Sequence, residues 1–273
     1  VTIGMMVVPR SEIHQFGAGI IDNENRIVDW EEKPQVPRTN LASMGIYVFE
    51  TGYLLRTLGR DRKEVDFGMD IIPRAINEDR VYAYPFYGYW RDVGTIQAYW
   101  EANMDIIREN SGISPEEWEI RPNPEYGGRP MDRAPAQFLS GSRTSSSLVS
   151  AGCIIEGTVV NSVLSPGVWV KKGAVVTNSV VFEDCVLEEQ AKVDLAILDK
   201  RVHVGKGAVV GFGDNLTEVN KAYPKHLYTG ISLVGKEACI PAGVSVGRNC
   251  IVNYSYGREN FHGKNFLADG ESA

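Results

Sequence analysis

The sequence predicts an α/β domain followed by a parallel β-helix of hexapeptide turns, and three observations carry that prediction. Val163, Trp169, Val175, Val181, Leu187 and Val193 recur at every sixth position. A second register starts at Val168, runs through Ala174, Val180 and Val186, is interrupted by Lys192, and resumes at Leu198, Val204 and Val210. The count returns at Val234, Ile240, Val246 and Val252. A period of six fits neither the helical 3.6 nor strand alternation; it fits coils whose short strands each turn a corner and send one side chain inward. The first 107 residues lack this period and alternate between strand-like and helix-like segments, which is the α/β signature.

Within that first part, residues 3–8 and 17–21 have strand character, and the Asp and Asn side chains of 22–25 mark a turn. Residues 26–32 alternate as a strand leaving it. Residues 42–49 form another strand, in which Gly45 suggests a point of close backbone approach. Residues 51–58 and 70–76 read as helices, the second with Pro73 near its start. Residues 95–107 read as an amphipathic helix with Thr95 as its N-cap. Prolines, glycines and a serine run then make 108–147 an interdomain linker. The β-helix occupies 148–254, broken at about 211–230 by a stretch without hexad register, which is read as a functional or interface excursion. A polar, poorly ordered tail covers 255–273.

Composition narrows the function classes. The 273 residues carry a formal net charge of −7 with an isoelectric point near 5.3, and the basic groups are no longer than Lys171-Lys172 or Lys200-Arg201. A nucleic-acid surface needs clustered cations, so no nucleic-acid partner is expected. No apolar run reaches membrane-spanning length and there is no signal peptide, so no membrane partner is expected either. Cys153, Cys185, Cys239 and Cys250 show no CxxC spacing. They are read as reduced thiols of a cytoplasmic protein, not as zinc ligands.

Three clusters in the first part hold polar residues that a fold alone does not require. In Trp30-Glu31-Glu32-Lys33-Pro34, the lysine suits a phosphate and the carboxylate suits hydroxyls, although a solvated turn would look the same. In Ala42-Ser43-Met44-Gly45-Ile46-Tyr47, small residues and the Ser43 hydroxyl suit either a ligand or packing. In Tyr89-Trp90-Arg91-Asp92-Val93-Gly94-Thr95, Asp92 is either a cap or a hard ligand for Mg²⁺, which takes one or two carboxylates plus substrate phosphates.

Taken in order, these clusters resemble the bacterial glucose-1-phosphate adenylyltransferases of the sugar-nucleotidyltransferase superfamily. The resemblance runs from Phe16-Gly17 through Glu32-Lys33-Pro34, Leu41 to Phe49, Asp66-Phe67-Gly68 with Ile71-Ile72-Pro73, and Tyr89 to Thr95, to Ser147-Leu148-Val149-Ser150. It implies a partial nucleotidyltransferase Rossmann-like domain followed by a left-handed β-helix. It implies that Lys33 binds the phosphate of glucose 1-phosphate, that Glu32 and Ser43 contact sugar hydroxyls, and that Gly17 offers backbone where a side chain would clash. Asp92 would be the catalytic residue, holding Mg²⁺. The partners implied are ATP and glucose 1-phosphate, giving ADP-glucose and pyrophosphate for glycogen- or starch-type glucan synthesis. A homotetramer assembled through the β-helix and allosteric control by a glycolytic intermediate are implied too. For Asp66, a helix cap and a substrate role stand level.

Members of that family begin with a glycine-rich phosphate loop and carry a further catalytic Asp, neither of which occurs in these residues. The resemblance therefore implies the C-terminal portion of the enzyme, inactive alone, whether a proteolytic fragment, a truncated chain or the visible part of a longer one. Two alternatives stay open: a non-catalytic regulatory or assembly subunit, and a hexapeptide-repeat acyltransferase. The latter would need His203 or His226 as base, and neither has an acid or substrate motif beside it in sequence.

Overall fold

Alternating apolar residues make β1 (Thr2–Val7) an inner strand of the first body, with Ile3 and Met5 fully buried. It pairs antiparallel with β4 (Leu41–Val48) and parallel with β5 (Tyr82–Pro85). β2 (Gly17–Ile21) joins the other side of β4, and β3 (Ile27–Glu32) closes the edge, giving the order β3-β2-β4-β1-β5. The helices are α1 (Thr51–Arg60), held at its start by Glu50, which accepts from the Gly52 and Tyr53 amides, and α2 (Ile72–Glu78). Ile72 and Ala75 of α2 pack on Ile3, Met5, Ile27 and Leu41. Pro73 sits in the first turn, where its missing N–H costs nothing. A single π-helical turn, Phe67–Ile71, precedes it, so the helix expected at 70–76 begins three residues earlier in a different geometry.

The structure describes residues 1–60, 64–120, 125–126, 129–130, 133–261 and 265–273. They form two compact units, Val1–Trp90 and Arg91–Ala273. Pro122, Pro124, Gly127 and Gly128 of the expected linker lie outside the described residues. Helix α3 (Ile96–Asp105) falls in the second unit. It buries Met104 against Val163 and Val180, and its Trp100 indole donates to the Asn178 carbonyl at 2.8 Å. No helix among the described residues is long and apolar enough to cross a membrane.

The second unit is a three-sided parallel β-solenoid, whose six-, six- and seven-stranded faces stack coil on coil. Its first strands are Gln137–Phe138 and Arg143–Ser145, ahead of residue 148, and Phe266–Leu267 of the tail pairs with Ser245–Val246. The period differs from a strict six. Leu164, Val170, Val176, Val181, Leu187, Val193, Leu198, Val204 and Val210 all face inward with no exposure, in steps of six, six and five. Stacked residues such as Lys171 and Glu188 are therefore 17 positions apart, one short of three hexads. The short step falls where Asn161, Asn178 and Leu195 take positive φ of 47–50°, a conformation that Asn tolerates better than most residues.

This corrects both registers. Trp169 and Val175 face outward while Val181 and Leu187, in the same count, face inward. Lys192 is no interruption: it stands beside outward-facing Val175 and Val209, where a charge is solvated.

The 211–230 excursion carries no strand and is fastened by two residues of a later coil. Arg248, 7% exposed, donates to the Gly213 carbonyl at 2.7 Å and to the Asp194 carbonyl and carboxylate at 3.0 and 2.7 Å. Buried Asn249 donates to the Glu218 carbonyl and accepts from the Gly230 amide. Asp194 also accepts from Thr177 Oγ1 and Asn178 Nδ2, and these bonds with Arg248 hold its carboxyl below the usual range despite partial burial. Asp194→Ala leaves a guanidinium buried without its counter-charge. It is expected to destabilise the second unit by about 3 kcal/mol in urea unfolding, with Asp194→Asn costing less.

Candidate functional site

Four segments meet in the first unit: Phe16-Gly17, Glu32-Lys33, Ser43 to Tyr47 and Asp66-Phe67-Gly68. Gly17 of β2 stands directly opposite Glu32 of β3. A Cβ at Gly17 would lie 2.8 Å from Glu32 Oε2 and 3.1 Å from Cε2 of the Trp30 ring. A Cβ at Gly68, in the π turn, would lie 2.9 Å from Glu32 Cδ. Two glycines thus make the slot in which the Glu32 carboxylate lies. The clash expected at Gly17 is with the chain's own Trp30 and Glu32. The neighbouring acid is committed elsewhere: Glu31 is paired with Arg38, which also holds Asp29 at 2.7 Å. These bonds to Arg38 hold both carboxyls below the usual range.

Lys33 is exposed and has φ 45°, directly before Pro34. A residue preceding proline is normally pushed to extended conformations, so this geometry is strained and must be held by its surroundings. The hold is its own amide, which donates to the Phe16 carbonyl at 3.0 Å. The Phe16 ring in turn meets Trp90 edge-on at 5.7 Å.

Ser43 is 7% exposed on β4. Its register against β1 shifts between Ile3 and Met5, which face Tyr47 and Ser43 respectively. In a straight strand two residues four apart stand about 13 Å from each other. The bulge shortens that distance enough for the Ser43 and Tyr47 side chains to hydrogen-bond. Gly45, at φ 71° within the bulge, has nothing within 4 Å of where a Cβ would be. Its requirement is backbone conformation, not the close approach expected from the sequence.

Tyr47 stacks on Phe67 at 5.4 Å, which ties the bulge to the Asp66-Phe67-Gly68 turn. Burial raises the Tyr47 hydroxyl pKa, the Ser43 bond lowers it, and the Glu32 and Asp66 charges add to the rise, so Tyr47 is a neutral hydrogen-bond donor at pH 7. Asp66 caps the π turn, its Oδ1 accepting from the Met69 amide at 2.7 Å. Tyr47, Gly68 and Trp30, whose buried indole N–H has no partner among the described residues, received no role from the sequence. The available signal for Tyr47 was a glycine between two polar residues on one strand, the mark of a bulge.

Asp92 lies in the second unit. It is exposed, and its Oδ2 accepts from the Gly94 amide at 3.0 Å, forming a turn. The helix cap is Thr95, which accepts from the Ala98 amide. Arg91 is bound to Glu101 and Asp105 of α3. No group of three or more His, Cys, Asp or Glu side chains able to hold a metal occurs among the described residues.

His203 has an acid after all: Glu188 Oε1 lies 3.0 Å from its Nε2. The pair is 15 positions apart in sequence but on adjacent coils, so sequence proximity hid it. His226 is exposed in the excursion.

Comparison with known proteins sets the first boundary later than the packing does, beyond α3 (Ile96–Asp105). Residues 1–109 match the nucleotidyl transferase family, and residues 134–234 match the GlmU-like C-terminal hexapeptide family, a left-handed β-helix. The chain is 44% identical over 268 residues to a glucose-1-phosphate adenylyltransferase of Thermomicrobium roseum, covering 96% of this chain and 61% of that protein. It is 39% identical over 270 residues to the enzyme of that name from Acetivibrio thermocellus, covering 95% and 61%. For that of Fervidobacterium nodosum the identity is 36% over 256 residues, covering 92% and 60%. The chain thus spans about three fifths of the length of these curated relatives.

Proposed function

We propose, from the match of residues 1–109 to the nucleotidyl transferase family and the 36–44% identity to glucose-1-phosphate adenylyltransferases over nearly the whole chain, that the protein makes ADP-glucose and pyrophosphate from ATP and glucose 1-phosphate. The observation that carries the reading is the slot of Gly17, Gly68 and Glu32 beside the strained Lys33. Lys33 would take the sugar phosphate as a point charge, and its fixed backbone reduces the ordering cost of that contact. Glu32 accepts hydrogen bonds from hexose hydroxyls, with Ser43 and the neutral Tyr47 hydroxyl adding a further donor and acceptor. Holding the sugar phosphate in line with the α-phosphorus of ATP converts an encounter into a positioned displacement. Asp92 would hold Mg²⁺, which supplies charge neutralisation on the transferring phosphates.

The same reading places the protein in glucan synthesis as a cytoplasmic, allosterically controlled homotetramer. Four reduced cysteines fit a reducing compartment. The test is ADP-glucose formation by the intact protein with ATP and Mg²⁺. Activity is expected, abolished by chelation and lowered at least about a hundredfold in Asp92→Asn. Full activity in that variant removes Asp92 from the machinery, and failure of the wild type to form ADP-glucose overturns the reading.

A further inference from the structure

Three chemistry-bearing side chains, Glu188, His203 and Cys239, line up on the outer surface of one solenoid face. His203 follows Val186 in the stack and precedes Cys239. His203 Nε2 lies 3.0 Å from Glu188 Oε1, and its Nδ1 lies 3.8 Å from Cys239 Sγ. The imidazole therefore bridges the carboxylate and the sulfur. A chelate would need all three converging on one point; this order instead makes a relay.

The protonation pattern follows from the partners. Glu188 is held below the usual carboxylate range, first by its bond to Lys171 at 2.8 Å and then by His203, so it is ionised and only accepts. It fixes the imidazole proton on Nε2, which leaves the Nδ1 lone pair facing the thiol. The other three cysteines are placed differently. Cys153, Cys185 and Cys250 are fully buried in the solenoid core. Burial raises the pKa of the Cys185 thiol to about 12 and that of Cys250 to about 11. Cys239 is partly exposed, as is the His203 side chain at 45%.

We propose that Cys239, with His203 as its base and Glu188 orienting that base, is a reversible modification site for low-molecular-weight disulfides. The thiol proton passes to His203 Nδ1 as the sulfur attacks one sulfur of the disulfide. A Cys239–S–S–R bond forms, the S–S bond of the reagent breaks, and the departing thiolate takes the proton from His203 to leave as free thiol. One disulfide is exchanged for another, so no further oxidant enters. The charged groups that flank the relay are Lys171 behind Glu188 and the Arg201–Glu237 pair two residues ahead of His203 and Cys239.

The experiment treats the intact protein, freed of reductant, with oxidised glutathione at pH 7 and follows each cysteine by peptide mass mapping. Cys239 is expected to form the mixed disulfide well before Cys153, Cys185 and Cys250. His203→Ala is expected to slow it about tenfold, and Glu188→Gln severalfold, because less thiolate is available. At pH 10, above the ordinary thiol pKa of about 8.5, the variants and the wild type are expected to converge, which a merely structural role for His203 would not produce. Equal rates at pH 7 in wild type and His203→Ala, or no preference for Cys239, overturn the proposal. Thermal melting monitors folding; if His203→Ala melts early, Glu188→Gln decides, and a rate equal to wild type overturns it as well.

Discussion

Lys33→Ala in the intact protein is expected to lower kcat/KM for glucose 1-phosphate by about a hundredfold, roughly 2.7 kcal/mol of transition-state stabilisation. A charge-assisted contact to phosphate contributes about 1.5–3 kcal/mol, and Lys33 is held for such a contact by its amide bond to the Phe16 carbonyl. Most of the loss is expected in KM, since the sugar phosphate carries its charge before reaction as well as during it. Lys33→Arg is expected to recover little, because the planar fork is larger than the ammonium and hydrogen-bonds in other directions. Steady-state kinetics at fixed ATP give the number. A change of under threefold would remove Lys33 from the site.

The second large effect concerns the solenoid. Leu187→Ala is expected to destabilise the second unit by about 3 kcal/mol, within the range for a buried leucine that leaves a cavity. Leu187 is stacked between Val170 and Val204 with no exposure. Val186→Ala, one position earlier and facing outward between Trp169 and His203, is expected to cost about 1 kcal/mol or less. Denaturant midpoints with unchanged slopes provide the comparison. Equal losses at 186 and 187 would contradict the inward assignment.

That contrast also locates what the sequence made legible. Hexad spacing identified the solenoid because every coil needs inward apolar residues. It could not identify their register, since each coil of 17 drops one residue at the corner of Asn161 and Asn178, and outward Val163 and Val180 are apolar as well. Those two are apolar because α3 covers them, a tertiary reason that no local pattern carries. The same holds at the site. Glu32, Lys33, Ser43 and Gly17 were readable as motif residues, and Gly17, Glu32 and Gly68 meet in the fold. Tyr47 and Gly68 were unreadable in role, because one depends on a bulge and the other on a π turn, both set by pairing with distant strands.

Asp92 shows the opposite case. Its motif is clear in sequence, yet Arg91 and Thr95 account for its local order through α3, and its own carboxylate stays exposed.

The most direct test of the account is a crystal structure of the intact protein with glucose 1-phosphate and no nucleotide. The account predicts the phosphate against Lys33 Nζ and hexose hydroxyls on Glu32 and Ser43, with the sugar beside Gly17. Glucose 1-phosphate bound with its phosphate away from Lys33, or seated elsewhere in the protein, would contradict it.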